Sequence, residues 1–265
     1  MRITVKLGGS ILEDAGIRIR LLAEVSKISA LGHEILLVHG GGKSLSRRLE
    51  QLRIPSRFVE GLRVTDAETL QVAVMVLAGE VNKKIVAEMS GLGIRAVGIC
   101  GADADAVRCV RLSDLAGYPE DIGFVGKPSE VNRSFFESLF ASGLIPVVSS
   151  IALGPDAGLY NVNADQMAAC CASRTGCSAL IYLTDVPGVR DENGAVLRDI
   201  GEFEILEMRS RGILSGGMLP KTSSCLEALA AGVASVSILP GAVPDLLTGF
   251  INGTLTEGTQ IHGNQ

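Results

Sequence analysis

The sequence predicts an α/β fold: a three-layer αβα sandwich around a mainly parallel open sheet, in one domain with two lobes. Three observations predict it. Short apolar strands alternate with helices of apolar 3.6-residue spacing along the whole chain. The first hundred residues run strand, helix, strand, glycine loop, helix, the pattern of a parallel sheet covered on its faces. The chain also has 265 residues with 47% hydrophobic content and mean hydropathy +0.35, enough for a sizeable core.

Residues 3–7 form an apolar strand. Residues 17–31 carry helical spacing at Ile17, Leu21, Leu22, Val25 and Ile28, ending at Gly32. Residues 34–38 form a second strand that runs into His39-Gly40-Gly41-Gly42, and a helix follows from Lys43 to before Pro55. A long helix is expected over 65–89. Strands are expected over 96–100, 107–111, 145–149, 179–183 and 235–239. Helices are expected over 133–141, 164–174 and 218–231. Residues 189–197 read as a β-hairpin with Asp191-Glu192-Asn193-Gly194 at its tip. The quietest place for a lobe boundary is Gly154–Gly158, giving lobes 1–157 and 158–265.

Bulk properties narrow the function. The net charge of −5 disfavours a nucleic-acid binder, so any bound phosphate is held by a few placed cations. The six cysteines form no C-x-x-C pair and no zinc spacing, which reads as buried free thiols in a reducing compartment. The first residues read directly as a strand, and no apolar run reaches the ~18–20 residues of a membrane span. A soluble cytoplasmic protein with no membrane partner is expected.

Two lysines stand out. Lys6 begins Lys6-Leu7-Gly8-Gly9-Ser10 at the end of the first strand, and Lys221 follows Gly216-Gly217-Met218-Leu219-Pro220. Paired glycines let backbone amides approach a ligand, and an ammonium beside them suits phosphate. Alone, the first motif reads somewhat better as an ordinary strand-to-loop turn with a solvated lysine. Lys221 sits in a helix's first turn, where the dipole favours anions, so a local conflict marks it as functional.

Gly40-Gly41-Gly42 before a helix offers amides to an anion. It is not a P-loop, since position 37 is leucine, nor a dinucleotide fingerprint, since position 45 is leucine. Arg63 precedes a helix capped by Thr65 or Asp66 and is either a carboxylate fork or a solvated arginine. Asn161-Val162-Asn163-Ala164-Asp165 places two amides and a carboxylate at one helix mouth, where a cap explains only one of them. No Ser-His-Asp set, H-E-x-x-H or paired-carboxylate signal is present, and His39 reads as structural.

In their order along the chain, these motifs, with Gly61-Leu62-Arg63-Val64-Thr65-Asp66 and Leu183-Thr184-Asp185-Val186-Pro187-Gly188-Val189, resemble the amino acid kinase family, and within it the acetylglutamate kinases. Gly-Leu-Arg-Val-Thr is the part most telling for that branch. The resemblance covers nearly the whole chain. It implies transfer of phosphate from ATP, carried with Mg²⁺, to the γ-carboxylate of N-acetyl-L-glutamate in arginine biosynthesis. It implies that Lys6 and Lys221 stabilise the transferring group and that Asp165 holds both. Gly41 and Gly42 would meet the substrate through amides, and Arg63 and Asn161 would take its α-carboxylate. Gly8, Gly9, Ser10, Thr184, Asp185 and Lys221 would hold ATP. No residue is expected to ligate a metal; Mg²⁺ would ride on the phosphates. The first lobe would bind acetylglutamate and dimerise, and the second would bind ATP.

Three departures from the family pattern are visible: Gly101-Ala102-Asp103-Ala104-Asp105 in place of an Asp-Gly turn, a lengthened Val125–Val131 hairpin, and residues 239–244 without the usual Asp and Arg. Arginine-inhibited members carry an added N-terminal helix that joins dimers into hexamers. This chain begins at its first strand, so a homodimer uninhibited by arginine is expected. The rival readings are a sister kinase acting on another acid, such as carrier-bound aminoadipate, and a non-catalytic amino-acid or nucleotide sensor on the same fold.

Overall fold

The computed structural model describes residues 1–115 and 121–263, with the side chain of Ser10 left out. Its first half contains β1 (Arg2–Leu7), α1 (Gly9–Glu13), α2 (Ala15–Ala30), β2 (Glu34–His39), α3 (Gly42–Gln51), β3 (Phe58–Val59) and β4 (Leu62–Arg63). Then come α4 (Ala67–Ala73), a π-helical stretch Val74–Val81, α5 (Asn82–Gly91), β5 (Ala96–Ile99), β6 (Val107–Arg111), β7 (Val125–Val131) and α6 (Arg133–Ala141). The chain continues through β8 (Ile145–Ser149), β9 (Ile151–Leu153), β10 (Leu159–Val162), α7 (Ala164–Arg174), β11 (Ala179–Thr184) and β12 (Asp199–Gly201). It closes with α8 (Glu202–Ser210), α9 (Met218–Ala230), β13 (Ser235–Pro240), α10 (Leu246–Asn252) and β14 (Thr259–His262).

The main sheet has eight strands in the order β12-β14-β13-β11-β1-β2-β8-β5. All its pairings are parallel except β13–β14. Strand alternation separates its two faces. Ile3, Val5 and Leu7 of β1, Ile35 and Leu37 of β2, and Ile181 and Leu183 of β11 pack with α2, α3, α5 and α10. Leu36 and Val38, Leu180 and Tyr182, and Val236 and Ile238 pack with α6, α7, α8 and α9. This is the three-layer sandwich. Lys6 lies between Val5 and Leu7, so it faces the α7–α9 layer.

The carboxyl ends of the parallel strands share one edge. Leu7 pairs with His39 and with Leu183, and His39 pairs with Ser149. The loops after β1, β2, β8 and β11 therefore converge there, the usual place for a ligand in an open α/β sheet.

Several local expectations change. The expected 65–89 helix starts at Ala67 and is interrupted by the π-helical stretch before ending at Gly91. The 107–111 strand leaves the main sheet and closes a small barrel, β10-β7-β6-β9. Close backbone packing at Gly101 helps turn the chain there: a Cβ would lie 2.6 Å from Ala152 Cα. The lengthened 125–131 segment is a bulged strand. Its register with β6 passes from Pro128 to Glu130, leaving Ser129 unpaired. Residues 189–197 turn back through a single bridge, Arg190 to Val196, rather than two strands. Gly154–Gly158 forms the turn of the β9–β10 hairpin.

One buried carboxylate ties α2 to α10. Glu24 accepts from the Asp245 amide at 3.0 Å and the Leu247 amide at 3.1 Å. Helix α10 has no side-chain cap of its own, so Glu24 satisfies its first amides. Burial pushes the Glu24 carboxyl up, opposed by the backbone amides that donate to it. Glu24→Ala is expected to lower stability in urea titrations by about 1–3 kcal/mol, and Glu24→Gln to recover only part of that, because its amide nitrogen cannot accept from the second backbone N–H.

Candidate active site

The site is built from chain termini of strands and helix N-termini. Asn163 caps α7, its Oδ1 accepting from Asp165 N at 2.8 Å and Gln166 N at 3.2 Å. Asp165 then sits in the first turn, where the helix dipole favours a carboxylate. Lys6 Nζ lies 2.7 Å from Asp165 Oδ1, and Lys221 Nζ donates to Asp165 Oδ2 at 2.9 Å. One carboxylate thus holds two ammonium groups, and all three residues are 8% exposed. The Tyr182 ring lies 5.2 Å from Lys221 Nζ, and its hydroxyl donates to the Asp165 carbonyl.

Two cations and one anion leave a net positive charge here. The lysine pair holds the Asp165 carboxyl down at about 2 against the opposing effect of burial. Burial, reinforced by the neighbouring Lys221 charge, pushes Lys6 down from the ordinary lysine range. The carboxylate of Asp165, and more weakly that of Asp185, partly counters that.

Around this cluster the glycines have distinct duties. A Cβ on Gly8 would lie 2.6 Å from the Leu183 carbonyl oxygen, and the Gly8 amide donates to that oxygen at 2.9 Å. Gly8 therefore lets β1 turn against β11, which leaves later amides of the turn for a ligand. Gly9 lines a neighbouring open cavity with Lys43 and Arg47. Thr184 ends β11, its hydroxyl donating to Asp185 at 3.2 Å. Gly41 has φ +151°, and a Cβ there would strike Leu77 at 2.8 Å. His39 steadies this loop. Its Nδ1–H donates to the Gly40 carbonyl at 2.8 Å, and its Nε2 accepts from Asn82 at 3.0 Å. Burial pushes His39 down to about 4, so the ring is neutral.

A cavity of about 170 Å³ lies beside the lysine cluster, lined in part by Gly41, Gly42, Arg63, Ser150, Asn161 and Asn163. All four residues expected to meet the substrate share it. Asn161 reaches it from β10, its amide donating to Thr65 Oγ1 at 3.2 Å. Arg63 is 7% exposed with no carboxylate among its hydrogen-bond partners in the described residues; its fork meets Ser56, Ser46 and the Gly42 carbonyl.

The structure therefore brings Lys6, Asp165 and Lys221 together, and Gly41, Gly42, Arg63 and Asn161 together beside them. Sequence reading missed the serines around Arg63 and the Phe58 ring, 4.6 Å from the guanidinium. Strands β3 and β4 are two residues each, too short to show periodicity. Among the described residues no group of three His, Cys, Asp or Glu side chains converges as a metal cage. None of their helices is long and apolar enough to cross a membrane. All six cysteines are free, with Cys109 pushed up to about 12 and Cys170 up to about 11 by burial.

The amino acid kinase family model matches residues 1–240. The chain belongs to the amino acid kinase family. An acetylglutamate kinase of Koribacter versatilis is 44% identical over 262 residues, spanning 98% of each chain. One from Acidobacterium capsulatum is 42% identical over 261 residues, spanning 98% of this chain and 99% of its own. Among solved structures, that of smu.665 from Streptococcus mutans UA159 superposes with TM-score 0.82 at 26% identity, covering 98% of both chains.

For this family member, Asp165→Asn is expected to lower stability near neutral pH by on the order of 3 kcal/mol. Because the folded-state value is depressed, the Asp165 contribution is complete above the unfolded carboxylate range near ~3.9. It is lost as pH falls through about 2. Urea midpoints of wild type and variant should differ most near pH ~6 and converge in acid.

Proposed function

We propose that this protein transfers the γ-phosphoryl group of ATP to the γ-carboxylate of N-acetyl-L-glutamate. The product is N-acetyl-L-glutamyl 5-phosphate, formed in the second step of arginine biosynthesis. The observation that carries the proposal is the pair of lysines on one carboxylate at the carboxyl edge of the sheet, next to a small cavity holding an arginine without an acidic partner. The full-length relatives named acetylglutamate kinase support the choice of acid.

The chemistry fits the residues. The accepting carboxylate is already ionised at neutral pH, so no general base is required. The obstacle is repulsion between that carboxylate and a polyphosphate. Lys6 and Lys221 offset it from two sides and follow the charge as it moves in the transition state. Asp165 keeps both ammonium groups aimed. The amides at the start of α3 and the side chains of Arg63 and Asn161 place the α-carboxylate end of the substrate. Gly8, Gly9, Ser10, Thr184 and Asp185 border the phosphates; the Ser10 side chain lies outside the described residues. Mg²⁺ would supply charge neutralisation on ATP, taking its ligands from phosphate oxygens, since Asp165 is committed to two lysines.

In this reading residues 1–157 supply most of the acetylglutamate site and 158–265 the ATP site, with Asn161 crossing over to the former. A cytoplasmic homodimer completes the proposal; a monomer or hexamer by sedimentation would remove that part.

The decisive assay traps the acyl phosphate with hydroxylamine, offering ATP with N-acetylglutamate, glutamate, aspartate or aminoadipate. Turnover is expected on N-acetylglutamate, and its absence overturns the reading. Lys6→Ala and Lys221→Ala are each expected to cut kcat by ~10²–10³. Lys6 must stay protonated, and its folded-state value is lowered. An alkaline loss of kcat is therefore expected below the ~10.4 of free lysine. Lys6→Arg, slower overall, should lack that limb because guanidinium stays charged.

A further inference from the structure

Arg63 is a buried cation whose hydrogen-bond partners among the described residues are all neutral. Nη1 donates to Ser56 Oγ at 2.6 Å, and Nη2 donates to Ser46 Oγ at 2.6 Å and more weakly to the Gly42 carbonyl at 3.4 Å. Its Cζ lies 4.6 Å from the Phe58 ring centroid, and Phe58 is its direct cross-strand partner in the β3–β4 pair. No side chain neutralises the charge in any of these contacts. Burial alone lowers the Arg63 value, with no acid raising it. Two other enclosed arginines are handled differently: the buried Arg18 forks onto Glu88, and the half-buried Arg2 pairs with Glu137 and Glu34.

A guanidinium has five donors in a fixed fork, and its orientation is set by whatever accepts from it. A carboxylate at position 46 or 56 would hold the fork at least as firmly. It would also neutralise the charge and compete with an incoming acid. Serine hydroxyls hold the fork without doing either. Ser46 comes from α3 and Ser56 from the loop before β3. Together they grip the fork from two directions, while Phe58 covers its face. Both cavities at this edge are lined by Arg63.

We propose that Ser46 and Ser56 are positioning residues, a charge-neutral cradle that presents Arg63 uncompensated to the carboxylate of the substrate. The inference rests on the proposed reading only in that the substrate is a carboxylic acid. Its signature is a change in substrate KM with kcat and the KM for ATP unaltered.

The test compares Ser46→Ala, Ser56→Ala and Ser56→Asp in the hydroxylamine assay, with thermal unfolding measured alongside. Each alanine variant is expected to raise the KM for N-acetylglutamate about tenfold. Ser56→Asp is expected to raise it at least as much while leaving Tm unchanged or higher, because it pairs with Arg63. A merely structural serine predicts the opposite for the aspartate variant, near-normal KM with a retained fold, and that result overturns the cradle. If the wild type uses another acid of the panel, the proposed function fails and the same comparison with that acid still decides the cradle. If no acid turns over, phenylglyoxal labelling of Arg63 read by mass spectrometry decides it. Labelling should be faster in Ser46→Ala/Ser56→Ala than in wild type, and an unchanged rate overturns the proposal.

Discussion

The active edge depends on one carboxylate. Asp165 sits at the N-terminus of α7, buried, with an ammonium on each of its oxygens. Without it, Lys6 and Lys221 would be two buried like charges with no anion between them. With it, both ammonium groups are held on one anion in a buried site, where fixed charges act most strongly on a ligand. The surrounding structure serves that arrangement. Alternation along β1 turns Lys6 toward α7, Asn163 sets the start of α7, and Tyr182 braces Asp165 through its carbonyl while its ring lies near Lys221.

The two halves of the site solve different electrostatic problems. Around the lysines, charge is partly balanced by the protein itself, which keeps the ammonium groups aimed before any ligand arrives. Around Arg63, charge is left unbalanced and is held by hydroxyls, a carbonyl and a ring face. The first arrangement suits a group whose charge moves during reaction. The second suits a group whose charge stays constant and needs only to be placed. The glycine loop between them is packed on His39, Leu77 and Val81, with Asn82 holding the His39 ring.

Much of the fold was legible from local patterns. The strands at 3–7, 34–38 and 179–183 and the helices at 17–31 and 164–174 follow from the spacing of apolar side chains within a few residues, and the structure places them within one or two residues of those bounds. Caps were legible for the same reason: Asp66 and Asn163 bond amides two or three positions ahead. The barrel that takes up residues 107–111 and 125–131 was not. Its closure depends on pairings between strands distant in sequence, β6 with β9 and β7 with β10.

The same division holds for the site. By itself the sequence determined which residues stand at strand ends and helix mouths, and so which lysines, glycines and asparagines could reach a ligand; periodicity and capping are local and act through neighbouring residues. Only the tertiary structure decided that Lys6 and Lys221 meet on Asp165, that Arg63 is buried without an acid, and that Ser46, Ser56 and Phe58 enclose it. Those are contacts between separate elements. Their energies come from desolvation and from charge across space, and neither is written into any short stretch of chain.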